Sequence, residues 1–400
     1  TSNSDGRFNV GIGTSSFRSN IIGTDNSGLG TNSGYFALGG YNTYIGSYSG
    51  YGVTGTSTAA ANSALGSRSL FSVTSGSDNV AIGNTAMYSN TIGANNVAIG
   101  AGAAYANTTS SFNVAVGVSA LRLQSFNNSG AQYNTFNVAV GTYALEANNP
   151  TSNANGSLNV GIGTSSFRSN IIGTDNSGLG TNSGYYALGS YNTYIGSYSG
   201  FGATGTNLGV ANSTLGSRSL FSVTTGSDNV AIGNTTMYSN TVGSNNVALG
   251  AGAAYANTAA SFNVAVGVSA LRLQSFDNGG ITYSPGNTAI GYESLYTNNP
   301  TAIDNGNRNT AIGYQSLRAN TTGTNNIALG YQSLISNSTG ANNIAIGNEA
   351  LRTMTIRSKF IAIGDSALAT TNATQPSVAV GYKTLRLAVI GSRNTAIGTE

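Results

Sequence analysis

No cysteine, histidine or tryptophan occurs anywhere in this 400-residue chain, and proline occurs only four times. Each absence removes a class of function. Without cysteine there are no disulfides and no thiol chemistry. Without histidine, neither Ser-His-Asp nor Cys-His catalysis can be assembled, and zinc would have to be held by carboxylates alone. Formal charge is also scarce: 15 basic and 12 acidic side chains give a net charge of +3. Nucleic-acid binding relies on clustered Lys and Arg that displace counterions, and here the basic residues are scattered. The acidic residues, such as Asp25, Asp78, Glu146, Asp175, Asp228, Glu293, Glu349 and Asp365, are mostly isolated. A carboxylate pair for glycoside hydrolysis could form only through the fold. Apolar runs such as Leu387–Ile390 fall far short of the roughly 20 residues that cross a bilayer. The expectation is therefore a non-enzymatic chain with no catalytic, cofactor or metal site and no membrane span. Lacking an initiator Met and starting and stopping inside its repeat, it reads as a portion of something longer.

What the chain does contain is glycine, 56 residues of it, together with abundant Asn, Ser and Thr and a hydrophobic share of 39%. These are not randomly placed. A unit of the form Asn-x-small-(Ile/Leu/Val)-Gly, followed by x-x-(Ala/Ser)-(Leu/Phe/Met), recurs 22 times, with its glycine running from Gly13 to Gly398. Ile, Leu or Val precedes that glycine every time, and the leading Asn fails only at Phe360 and Ser377. Most spacings are 17 residues; the others are 16, 20, 22 and 24. A fixed period with variable insertions is the signature of a solenoid whose loops lie outside the coil. A longer period of 150 residues is superimposed. Block 1–150 and block 151–300 are near-duplicates, and 301–400 continues in a plainer rhythm. Pro150 and Pro300 occupy equivalent places in the two blocks and read as outer-loop residues.

In Asn79-Val80-Ala81-Ile82-Gly83 the Val and Ile lie two apart, so they share one face of a strand while Ala81 faces the other way. The run is too short for a helix, β-branched residues dominate it, and glycine supplies the turn. Stacked coils are expected to place Ile over Ile and Leu over Leu as a continuous core, with Asn over Asn in amide ladders. The predicted fold is all-β: a parallel β-solenoid or β-roll of about 22 short coils, about 100 Å long at the spacing of stacked strands.

The segments Asp78–Gly83 and Asn95–Gly100 resemble the repeat of trimeric autotransporter adhesin heads, the YadA-like left-handed β-roll. Asn309–Leu317 is similar to repeats in phage and viral tail-fibre proteins. The likeness extends over essentially the whole chain, although coils in those adhesins are shorter than the 17 residues dominant here. It implies a homotrimer of parallel rolls on a cell or virion surface, with the small face at Ala81, Ala98 and Ala115 suited to such packing.

Two features bear on partners. Tyrosines cluster in each block, and Tyr41, Tyr48, Tyr51, Tyr191 and Tyr198 are candidate contacts for glycans; the alternative is an aromatic ladder that stiffens adjacent coils. Asn-x-Ser/Thr sequons occur at Asn107, Asn155, Asn212, Asn234, Asn320, Asn337 and Asn372. The leading expectation is a structural segment of an extracellular fibre, an adhesin or tail fibre, partnered by copies of itself and by host-surface glycans. The alternatives are a self-assembling single-chain β-solenoid filament without adhesin role, a carbohydrate-binding or ice-binding solenoid, and a carbohydrate-active β-helix enzyme.

Overall fold

Every copy of the repeat forms a strand of three residues that ends just before its central glycine, as in Val80–Ile82 and Val97–Ile99. The computed structural model describes residues 6–53, 57–202, 207–371, 375–387 and 393–399. The sequon at Asn372 and positions 388–390 of the last apolar run lie outside the described residues. Two compact units, Thr1–Ser197 and Tyr198–Glu400, carry eleven such strands each. The first runs from Val10–Ile12 to Thr193–Ile195, the second from Ser213–Leu215 to Thr395–Ile397. Within a unit each strand pairs in parallel with the equivalent strand of the next coil. Ala81 faces Ala98 and Ile82 faces Ile99, and in the second unit Ala328 faces Ala345. The fold is a parallel β-solenoid of about 22 turns, with no helix among the described residues. Longer coils accommodate their extra residues in loops. One of these adds a second small ladder, Ser110–Ser111 on Tyr133–Asn134.

The repeated asparagine is buried in most coils and bonded to the coils on either side. Asn96 donates from its backbone N and its Nδ2 to Asn79 Oδ1, at 3.0 and 3.1 Å. Asn79 does the same to Asn62, at 3.0 and 3.1 Å, and its Nδ2 also donates to the Gly93 carbonyl at 2.9 Å. The Asn79 amide thus accepts two hydrogen bonds and donates two, which makes it compatible with a dry interior. Where Phe360 replaces the asparagine its backbone N still donates to Asn343 Oδ1 at 3.0 Å, but the column of side chains ends there.

Glycine is required after the strand for two reasons. Gly83 has φ of 134°, and a Cβ there would lie 2.5 Å from the Gly100 carbonyl oxygen of the next coil. Four residues later the chain adopts left-handed backbone at a large apolar residue, for example Leu121 with φ of 53° and Met87 with φ of 50°. That conformation costs about 1–2 kcal/mol for an L-residue. Both side chains are fully buried, which returns about 1.5–3 kcal/mol, so burial carries the turn.

The interior differs from the sequence expectation in which face points inward. Ala81, Ala98 and Ala115 are completely buried, whereas Ile82 and Ile99 remain 38% exposed. The core is built from the strand alanines, the asparagines and the Leu, Met or Phe of the turn layer. The Val and Ile faces form the outside. The cause is thickness: strand and turn layers lie so close that a Cβ on Gly161 would meet Leu145 Cγ at 3.2 Å. Only a small residue fits between them. Pro150 and Pro300 are in loops as expected, but both are buried rather than solvated, Pro150 lying against Gly156.

Tyr44 and Tyr194 are the exceptions that test this rule. Each occupies the alanine position of its strand and is fully buried, with burial pushing the Tyr44 phenol well above its ordinary range. Room is made by glycines where Leu normally sits. A Cβ on Gly50 would strike the Tyr44 ring at 2.3 Å, and one on Gly34 would strike Phe17 at 2.3 Å.

Gly34→Ala is expected to cost about 3 kcal/mol, combining overpacking with left-handed strain. Gly102→Ala has a similar φ of 64° but its nearest neighbour is 3.8 Å away, so it should cost only about 1 kcal/mol; urea unfolding of the pair separates the two effects. Asn79→Ala should cost about 3 kcal/mol through the groups it leaves unpaired. The exposed Asn84→Ala should stay within about 0.5 kcal/mol in the same assay.

Candidate interaction surface

Because alanine and asparagine point inward, alternation along the strand sends the residues between them outward. The residue before the central glycine is Ile, Leu or Val in all eleven strands of each unit. Parallel pairing stacks these side chains into one unbroken column per unit, exemplified by Leu29 over Ile45 and Ile312 over Leu329. None of them is buried: Leu65 is 47% exposed and Leu179 50%. A second outward column, two residues earlier, is Val, Ile, Thr or Ser, as in Val97, Val114 and Ile344. Scattered exposed apolar residues are ordinary on a protein surface, whereas a contiguous apolar stripe marks a place where something binds.

Flanking residues widen the stripe in places. At the corner just before the buried asparagine, Phe112 and Phe136 stack at 5.1 Å, and both are exposed, as is Leu158 one coil on. Just after the glycine, Tyr292, Tyr314 and Tyr331 stack at 5.2 and 5.3 Å. The sequence signal for this surface was the apolar residue present in every repeat. That invariance is equally what a core position would show, so the pattern alone did not distinguish the two.

A different column lies five residues after each central glycine. In the first unit Tyr51, Phe71, Tyr88 and Tyr105 stack at 5.1, 5.0 and 5.1 Å, with interplanar angles of 6°, 2° and 5°. Phe201, Phe221, Tyr238 and Tyr255 repeat the arrangement in the second unit at 5.1, 4.9 and 5.2 Å. Arginines close the aromatic runs: Arg18 lies over Tyr35, Arg122 over Tyr105 and Arg272 over Tyr255. Such guanidinium–ring contacts are favourable by about 0.5–1 kcal/mol at exposed sites. The same column then carries Glu146 and Arg168, which form an ion pair of 2.6 Å, as do Glu293 and Arg318. Partial burial pushes the Glu293 carboxyl up, but hydrogen bonds from Arg318 and Gln315 outweigh it and hold the group below its ordinary range.

The five tyrosines singled out as glycan contacts fall in two settings. Tyr41 and Tyr191 sit at coil corners with φ of 63° and 62° and are the more open, at 68% and 62% exposed. Tyr48 packs on Tyr51 at 5.4 Å, and Tyr51 has Phe71 across one ring face and Tyr35 at 5.3 Å. Tyr198 packs on Phe201 at 5.4 Å. Tyr41 and Tyr191 are thus the most exposed of the five, whereas Tyr48, Tyr51 and Tyr198 each have another aromatic ring packed against them. An aromatic ladder, the alternative for this cluster, is present, and of these five tyrosines Tyr51 belongs to it.

The sequons divide in the same way. Asn107, Asn212, Asn320 and Asn337 are fully buried, with their amides bonded inside the coil. Asn155 is half-buried in a loop and Asn234 is exposed. Among the described residues no three His, Cys, Asp or Glu side chains cluster as metal ligands would. Comparison of the chain with protein-family models and with curated protein sequences finds no match.

Proposed function

We propose that the chain is a structural segment of an extracellular fibre, a cell-surface adhesin or virion tail fibre, assembled from copies of itself. The observation that carries this reading is the exposed Ile/Leu/Val column repeated on every strand. A lone roll leaves that column in water, where its removal would contribute about 25 cal/mol per Å². The natural cover is an identical column on a second copy, because the two then match in period and length. Three parallel copies closing their columns around a common axis is the arrangement the resemblance to adhesin heads implies. Closed cyclic symmetry hides every stripe and leaves none to recruit further chains. The remaining surface, poor in charge and without cysteine or histidine, suits a role that is mechanical and adhesive rather than catalytic. Within that role, Tyr41 and Tyr191, the most exposed of the five candidate tyrosines, would touch a surface glycan, and repetition along the assembly would raise avidity.

Native mass and negative-stain imaging test the assembly. The expected particle has three times the chain mass of 40.2 kDa. Replacing Ile82, Ile99 and Val116 together by Lys should reduce it to a single chain while the β circular dichroism persists, since these side chains lie on the outward face of their strands. A wild-type particle of one chain mass would remove the reading. An open-ended filament would instead support a self-assembling solenoid without the three-fold adhesin architecture.

A further inference from the structure

The stacked tyrosines have a chemistry of their own. Tyr88 and Tyr105 lie one coil apart with ring centroids 5.1 Å apart and planes within 5°. Tyr238 and Tyr255 repeat this 150 residues later, at 5.2 Å and 6°. All four are half-buried, so each ring keeps an edge in solvent. The two rings of each pair also sit in strict register, because the coils that carry them are fixed by backbone bonds such as Met87 N to the Ala103 carbonyl at 2.9 Å and Ser89 N to the Tyr105 carbonyl at 2.9 Å. Apart from tyrosine itself, the readily oxidised side chains are absent or buried. The chain has no Cys, Trp or His, and Met87, Met237 and Met354 are all buried.

From this geometry we infer that Tyr88–Tyr105 and Tyr238–Tyr255 are sites of intrachain dityrosine formation, which staples neighbouring coils covalently under one-electron oxidation. The oxidant is hydrogen peroxide acting through a haem peroxidase. Each phenol gives up one hydrogen atom, and the peroxide is reduced to two molecules of water. The two phenoxyl radicals then join through ring carbons ortho to oxygen. The hydrogens displaced at those carbons move to the oxygens and restore both phenols, so each link costs the chain two hydrogens. Pre-stacked rings form this bond without a diffusional search, which is the advantage of an effectively intramolecular reaction. Phe71 cannot be oxidised in this way, so it separates Tyr51 from the Tyr88–Tyr105 pair. The inference does not depend on the assembly proposed above, since both rings of each pair belong to one chain.

Trypsin offers a direct readout. Arg68 and Arg122 bound a peptide, 69–122, whose only tyrosines are Tyr88 and Tyr105; Arg218 and Arg272 bound 219–272, whose only tyrosines are Tyr238 and Tyr255. Dilute native protein is treated with peroxide and peroxidase, digested, and weighed by mass spectrometry. Both peptides should lose two hydrogens and show dityrosine fluorescence. In Tyr105→Phe, which keeps a ring in the stack, peptide 69–122 should keep its mass while 219–272 still loses two hydrogens. Chain unfolded in denaturant before oxidation should lose the intrapeptide link. The inference is overturned if the native peptides keep their mass, if Tyr105→Phe still loses two hydrogens in 69–122, if links join separate chains instead, or if the unfolded chain couples equally well.

Discussion

Everything in this molecule depends on one constraint: each coil is completed by the next. A three-residue strand cannot satisfy its own backbone groups, and the buried asparagine has no partner inside its own turn. Asn79 accepts from the backbone and side chain of Asn96 one coil later and donates to Asn62 one coil earlier. Shifting the register by a single residue would put Val at the asparagine position and leave those groups unpaired in a dry interior, at about 1–3 kcal/mol for each one. Insertions are accordingly confined to loops, where Gly130 and Gly279 meet open space. The strands themselves do not vary in length.

The same close stacking determines what each position can hold. Strand and turn layers are separated by so little that alanine is the ordinary inward residue. A tyrosine enters only where its own coil and the preceding one give up side chains in the turn layer, as Gly50 and Gly34 do around Tyr44. Large apolar residues are therefore sent outward or into the turn. This makes a surface column of Ile, Leu and Val a consequence of the fold's thickness as much as of any partner. It also explains why one outer column carries runs of stacked aromatic rings closed by arginines and then the Glu146–Arg168 pair: side chains repeated at coil spacing must find compatible neighbours above and below.

Much of this was legible in the sequence. The position of every central glycine, the count of coils, the in-register asparagine column and the aromatic ladder all follow from the spacing of named residues. The inside and the outside of the strand did not. Period-2 alternation assigns Val80 and Ile82 to one face and Ala81 to the other, but hydrophobicity alone favours the wrong face for burial. What decides the matter is the distance to the turn layer, and that is set by Met87 and Leu121 in left-handed backbone, a conformation no pattern of apolar residues announces. The tyrosine cluster was mixed for a related reason. Tyr44, Tyr48 and Tyr51 are close in the chain, yet the first is interior, the second packs on the third, and the third lies within a stack.

The interlocked asparagine column is the claim on which the rest stands, and hydrogen exchange of its side-chain amides tests it most directly. If each buried amide is held from both sides, the Nδ2 protons of Asn79, Asn96, Asn229 and Asn246 should exchange only through opening of the coils, as slowly as the neighbouring strand amides. Exchange of those protons as fast as in the exposed Asn84 and Asn234 would contradict the account, because the coils would then lack the interaction that fixes their register.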